Sequence, residues 1–205
     1  MSKAQIETTE RRFAGKIECR GAEDGSDLVL VGYAVIWNAE TQRWPGSFEV
    51  FRRGCFIESL GSYDTVAYWV HEKPAPLARM SAGTLLVEED ETGLKVEIRM
   101  ANTAVNQDRY ASIQRGDVKG MSIGFIPQPD GQRWSLRPNG DEVRELTRAT
   151  LTDVGPHPDP QYPETMIEAR ARWDAQRPKD LQQPAEMPVE VAHAQARATL
   201  MRLEF

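Results

Sequence analysis

Between Leu94 and Met100 the chain alternates without a break. Leu94, Val96, Ile98 and Met100 are apolar, and Lys95, Glu97 and Arg99 are charged. Side chains that alternate faces belong to a strand, so this period of two demands a β-strand with one buried and one wet face. Residues 84–87 precede it, with Glu91-Thr92-Gly93 as the turn, which completes a hairpin. Shorter runs of the same kind predict strands at 13–19, 28–37, 47–51, 65–70, 120–125, 142–146 and 149–154. Helices are expected at 56–60 and 106–115, the second with Val105, Tyr110 and Ile113 inward and ended by Gly116. Residues 128–140 read as a loop or hairpin tip. The proline-rich stretch 155–163 reads as rigid and extended, outside helix and central strand. This is a β-rich α+β domain.

Three segments follow. Residues 1–12 form a polar arm expected to be disordered, 13–173 the domain, and 174–205 a tail. A helical start is expected at 165–173. The tail reads as a proline-bearing linker followed by an amphipathic helix at 189–205, with Val189, Ala192, Ala196, Leu200 and Leu203 near one stripe.

Charge and composition narrow the function. The formal net charge is −6, with basic residues scattered among acidic ones, so nucleic acid is not an expected partner. No apolar run approaches the roughly 18 residues of a membrane span, and the N-terminus lacks the apolar core of a secretory signal. Cys19 and Cys55 have no metal-ligand spacing and suit a reducing cytosol. No cofactor or metal is called for.

The chemistry centres on Gly120-Met121-Ser122-Ile123-Gly124-Phe125. Met121, Ile123 and Phe125 would bury together while Ser122 points to the other face between two glycines. Such a serine is a seat for a nucleophile, provided that a base takes its proton. His71 follows a strand pattern and precedes Lys73-Pro74, at the strand-to-loop position where functional groups gather. A histidine is the usual base near neutral pH. Asp153, in Leu151-Thr152-Asp153-Val154, offers a carboxylate to orient it.

Several segments resemble the prohead maturation proteases of tailed bacteriophages, of the HK97 type. Phe48-Glu49-Val50-Phe51-Arg52-Arg53-Gly54-Cys55-Phe56 is similar to the family's early signature, with Arg53 and Cys55 in place of its usual Pro and Ala. Val70-His71-Glu72 and Pro76-Leu77-Ala78-Arg79 resemble the segment around its catalytic histidine. Gly83-Thr84-Leu85 and Asp90-Glu91-Thr92-Gly93-Leu94 match its hairpin, and the Ser122 hexapeptide its nucleophile strand. Leu151-Thr152-Asp153-Val154 resembles a Leu-x-Glu-Val motif, and Pro160-Gln161-Tyr162-Pro163-Glu164-Thr165 the family's Pro-Ala-Tyr-Pro-x-Thr ending.

The resemblance implies a mostly antiparallel β-barrel core wrapped by helices, similar to the herpesvirus maturation proteases. It implies Ser122 as nucleophile, His71 as base and Asp153 as third member. Asp153 is one methylene shorter than the family's glutamate. Gly155-Pro156-His157 departs from the family and makes His157 a rival third member, since the herpesvirus enzymes use a second histidine there. The implied activity is a serine endopeptidase inside the assembling prohead, in the bacterial cytoplasm. Its substrate would be the scaffolding segment of the major capsid protein, with its own tail as a second candidate and self-association as a further contact. An oxyanion hole is needed, with amides near Ser122, Arg144 or Arg148 as candidates. A non-enzymatic assembly scaffold is the alternative. A cysteine hydrolase built on Cys55 is the weakest reading, because small apolar packing explains that residue.

Overall fold

The hairpin forms as its pattern requires. Strands β7 (Leu85–Glu89) and β8 (Gly93–Ala101) pair antiparallel. Leu94, Val96, Ile98 and Met100 are all fully buried. Each such side chain contributes about 1.5–3 kcal/mol relative to an exposed position. The computed structural model describes residues 9–21, 27–158, 173–178 and 181.

The remaining strands are β1 (Glu10–Gly21), β2 (Asp27–Ile36), β3 (Thr41–Trp44), β4 (Ser47–Phe51), β5 (Val66–Tyr68) and β6 (Pro76–Arg79), then β9 (Gly120–Pro127), β10 (Gln132–Leu136), β11 (Glu142–Leu146) and β12 (Ala149–His157). An eight-stranded sheet has the order β6-β5-β12-β9-β1-β2-β8-β7, and a four-stranded sheet the order β10-β11-β4-β3. Among the described residues, only β4–β11 and β5–β12 pair in parallel. Helix α1 (Ile57–Ser62) lies against β12 and β7, and α2 (Ala104–Arg115) against β1 and β2. Thr103 caps α2 by accepting from the Asn106 amide, and Gly116 ends it at φ 87°. The core gathers Leu30, Phe56 and the β8 side chains with Met121, Ile123, Phe125, Leu151 and Val154. Phe51 joins the smaller sheet to it, edge-on to Phe125 at 5.2 Å.

The barrel implied by the resemblance is not closed among the described residues. The large sheet curls until β6 lies near β8. Its edge strands β6 and β7 are consecutive, yet no ladder pairs them among the described residues, and the nearest main-chain bond, Thr84 N–H to Arg79 O at 3.3 Å, lies in the connection before β7. β6 is only four residues long and opens on Pro76, which has no N–H to donate to a ladder.

Other differences have local causes. β1 begins at Glu10, inside the stretch expected as an arm, because Glu10 and Arg12 are buried in ion pairs. β12 runs through Gly155 and Pro156 to His157, since it pairs with β9 as far as Gly120. β3, β6 and β10 are short strands that their sequences did not announce. Val105 is exposed rather than inward. Of the helical start expected over 165–173 the described residues include only Trp173, which is helical; the helix expected over 189–205 lies outside them, as do residues 1–8.

Candidate active site

Ser122 occupies the face of β9 opposite Met121, Ile123 and Phe125, which are fully buried. The alternation is as the pattern predicted, but Ser122 is itself buried, at 5% exposure. Cross-strand partners on β12 are Gly155 for Ser122, Asp153 for Gly124 and His157 for Gly120. Partners that face each other across a ladder share a side of the sheet. One side therefore carries Ser122, Asp153 and His157 among three glycines.

Asp153 reaches that side through a bulge. Leu151 pairs with Phe125 and Asp153 with Gly124, so Thr152 is the extra residue. Without it, Asp153 would share Leu151's core-facing side. The main chain before the bulge is held twice. Leu151 N–H donates to Ser59 Oγ at 2.9 Å, and Leu151 O accepts from Thr65 Oγ1 at 3.0 Å. Thr152 Oγ1 then donates to Asp153 Oδ2 at 2.9 Å. Gly124 leaves room for this carboxylate: a Cβ there would sit 2.0 Å from Asp153 Oδ2.

His71 does not extend β5. It lies in a 3-10 turn, Trp69–His71, that leaves the strand sharply. Val70 and His71 have φ of 51° and 57°. For a β-branched valine this left-handed geometry is costly, of order 1–3 kcal/mol, and such strain gathers at functional sites. Trp69 N–H donates to Ala75 O, Glu72 N–H to Trp69 O, and the Arg109 guanidinium lies 5.4 Å from the Trp69 ring centre. Gly155 allows the turn to approach, since a Cβ there would fall 1.8 Å from Tyr68 O.

These elements bring three side chains into line. His71 Nε2 lies 2.6 Å from Ser122 Oγ, and His71 Nδ1 is hydrogen-bonded to Asp153 Oδ1. His71 is 9% exposed and Asp153 8%. A carboxylate on Nδ1 selects the tautomer with its proton there and leaves the Nε2 lone pair facing the serine hydroxyl. Such a set can pass a proton from Ser122 to His71 while Oγ forms a bond to an electrophilic carbon. Ser122 Oγ also lies 3.0 Å from the main-chain carbonyl of Arg12, a contact the sequence did not signal.

The other candidates sit elsewhere or bond differently. His157 stacks beside His71, with ring centres 5.8 Å apart. Arg144 is fully buried and bound to Glu10, Glu49, Gln132 and Gln176, so its donors are occupied. Arg148 pairs with Glu58 and Asp130 on the surface. Cys55 is buried in the core, where burial first, then the nearby Glu89 and Glu49 carboxylates, push its thiol pKa far up and leave it a poor nucleophile. Among the described residues, no group of three or more His, Cys, Asp or Glu is placed to hold a metal ion. Among them too, no helix is long and apolar enough to cross a membrane.

A family model described as the caudovirus prohead serine protease matches residues 15–179. No curated protein and no solved structure matches the chain.

Proposed function

The chain belongs to the caudovirus prohead serine protease family, and from that premise we propose that it cuts the scaffolding segment of the major capsid protein inside the assembling prohead, with Ser122, His71 and Asp153 as its catalytic residues. The observation that carries this assignment is His71 held between Ser122 Oγ at 2.6 Å and the Asp153 carboxylate. The substrate's own tail-like scaffold segment must thread to the glycine-lined face around Ser122. Kinship of the curled sheet with the herpesvirus maturation proteases belongs to the same proposal.

The reaction follows from the geometry. Ser122 Oγ attacks the scissile carbonyl carbon as its proton moves to His71 Nε2. Asp153 accepts the Nδ1 proton's hydrogen bond throughout and stabilises the imidazolium. The C–N bond then breaks, and His71 returns the proton from Nε2 to the leaving amine. Water attacks the acyl-enzyme with His71 again as base, which frees Ser122. Asp153 is favoured over His157 as the third member because the Nδ1 of His71 is already bonded to it. Self-cleavage of the tail would use the same steps.

The test is co-expression with the cognate capsid protein, followed by the mass of that protein. Ser122→Ala is expected to abolish cleavage, a loss on the order of a millionfold in turnover. The fold should survive, since one buried hydroxyl contributes only about 1 kcal/mol. His157→Ala should still cleave. Full cleavage by Ser122→Ala would remove the enzyme reading at this site. Cleavage lost in His157→Ala but kept in Asp153→Asn would move the third role to His157.

A further inference from the structure

A second buried polar cluster touches the nucleophile from behind. Arg12 donates to Glu49 through Nε and Nη2, and to Glu10 through Nη2. Arg144 donates to Glu10 at 2.9 Å and to Glu49 at 3.0 Å. Both arginines and both glutamates are at most 9% exposed. The cluster joins β1 to β4 and β11, and so the large sheet to the small one.

Its last member comes from far along the chain. Gln176 Nε2 donates to Glu10 Oε1 at 3.0 Å, and Gln176 Oε1 accepts from Arg144. The segment that carries Gln176 is docked by Trp173, which is 2% exposed. Its ring lies edge-on between Trp44 and Trp134, with centres 4.9 and 4.7 Å away. Its Nε1–H donates to Glu142 at 3.1 Å, and Arg177 pairs with the same carboxylate.

The cluster's output is a carbonyl. Arg12 O lies 3.0 Å from Ser122 Oγ. Arg12 pairs with Ile123 and Phe13 with Ser122, and beyond Phe13 the β1–β9 ladder becomes irregular. β1 pairs with β2 from Ile17 onward, so regular pairing holds the Arg12 stretch on its β9 side alone. The place of the Arg12 carbonyl depends on the anchored guanidinium, because a bulge lets the strand bend. A planar fork bound by two carboxylates is a rigid anchor. We infer that Arg12 is a positioning residue for Ser122, and that the Trp173-to-Arg177 segment is the clamp that sets it, through Gln176, Glu10 and Arg144. The reach from Gln176 to the hydroxyl is a continuous run of hydrogen bonds and one main-chain unit, with Ser122 O–H donating to Arg12 O until it turns to His71 Nε2 for the proton transfer. Chain that lies beyond the domain's last strand thereby controls the rotamer of the nucleophile. The inference rests on Ser122 being that nucleophile.

The experiment measures how fast a small fluorophosphonate labels Ser122 in the full chain, with Ser122→Ala as the blank, alongside kcat and KM on the capsid protein. Gln176→Met keeps the length of the side chain and removes its hydrogen bonds without unbalancing the buried charges. It is expected to slow labelling and kcat about tenfold with KM unchanged, since small displacements of a reacting group carry losses of up to about a hundredfold. Arg12→Lys, a point charge in place of a fork, should slow labelling further. Lys95→Ala, at an exposed pair with Glu88, should label at the wild-type rate. If folded wild-type protein is not labelled at Ser122, the nucleophile assignment itself fails. If wild type is labelled and Gln176→Met labels equally fast, the clamp is overturned. A slowing that vanishes when each variant is assayed equally far below its own Tm would give Gln176 a structural role only, and would overturn it too.

Discussion

Arg144 and His71 are both buried, and the difference between their surroundings separates a strut from a reactive site. Every nitrogen of Arg144 is taken: Nε by Gln132, Nη1 by Glu10 and Glu49, Nη2 by Glu10 and Gln176. Its charge is matched on all sides, and burial outweighs nothing that those pairs do not return. Burial raises the Glu10 carboxyl pKa, but Arg12 and then Arg144 more than reverse this, and Glu10 lies well below the usual range. Around His71, Nδ1 meets the Asp153 carboxylate. Nε2 meets a hydroxyl whose proton can leave. A closed set of ion pairs resists change, and a set with one movable proton invites it.

Substitutions can break that contrast from either side. After removal of Ser122 itself, the largest effect is expected for Asp153→Asn, which spoils the tautomer of His71 and should lower kcat by about 10⁴-fold while the denaturation midpoint barely moves. Arg144→Ala should do the reverse. It strands two buried carboxylates and should cost about 3–5 kcal/mol in urea unfolding, with any activity loss following from unfolding or from a displaced Arg12. If Asp153→Asn proved the more destabilising of the two, the division between strut and site would be wrong.

Gly155→Ala probes the packing that lets the two regions meet. Its new methyl would strike the Tyr68 carbonyl, a main-chain atom that cannot swing aside. The 3-10 turn must shift and carry His71 with it. The expected outcome is a folded protein, destabilised by about 1–3 kcal/mol, with kcat down about a hundredfold. Near-UV circular dichroism and steady-state kinetics on the same preparation check both parts.

Acid should act on the strut in a defined direction. Glu10 and Glu49 have folded pKa values lowered from 4.5, with Arg12 reversing the effect of burial in each. A carboxyl lowered on folding contributes its stability fully above its unfolded pKa. That stability is lost as pH falls below about 4.5 toward the lowered folded value, with a slope of at most about 1.4 kcal/mol per pH unit for each proton taken up. Urea midpoints measured from pH 6 down to pH 3 should therefore fall, and Glu10→Gln should flatten the fall. An unchanged slope in that variant would remove Glu10 as a source of acid sensitivity.

The legible part of this protein was local. The unbroken alternation of 94–100, the glycine end of α2 and the apolar face of β9 were readable because each depends on neighbours a few residues away. The chemical types at Ser122, His71 and Asp153 were readable in the same way. Glu49 read only as a polar position of an alternating strand, and nothing nearby in the chain identified Arg12 and Arg144 as its buried partners.

Two decisions belonged to the tertiary structure. Strict alternation along 149–154 would send Asp153 to the same side as Leu151. Only pairing with β9 inserts Thr152 as the extra residue and turns the carboxylate toward His71. The sequence ended β5 near His71, but the left-handed Val70 and His71 are held by contacts to Ala75 and by the approach of β12 at Gly155. Residue types and short periods are written along the chain, so composition and alternation determined them. Register, bulges and buried ion pairs depend on strands distant in sequence, so they exist only once those strands have met.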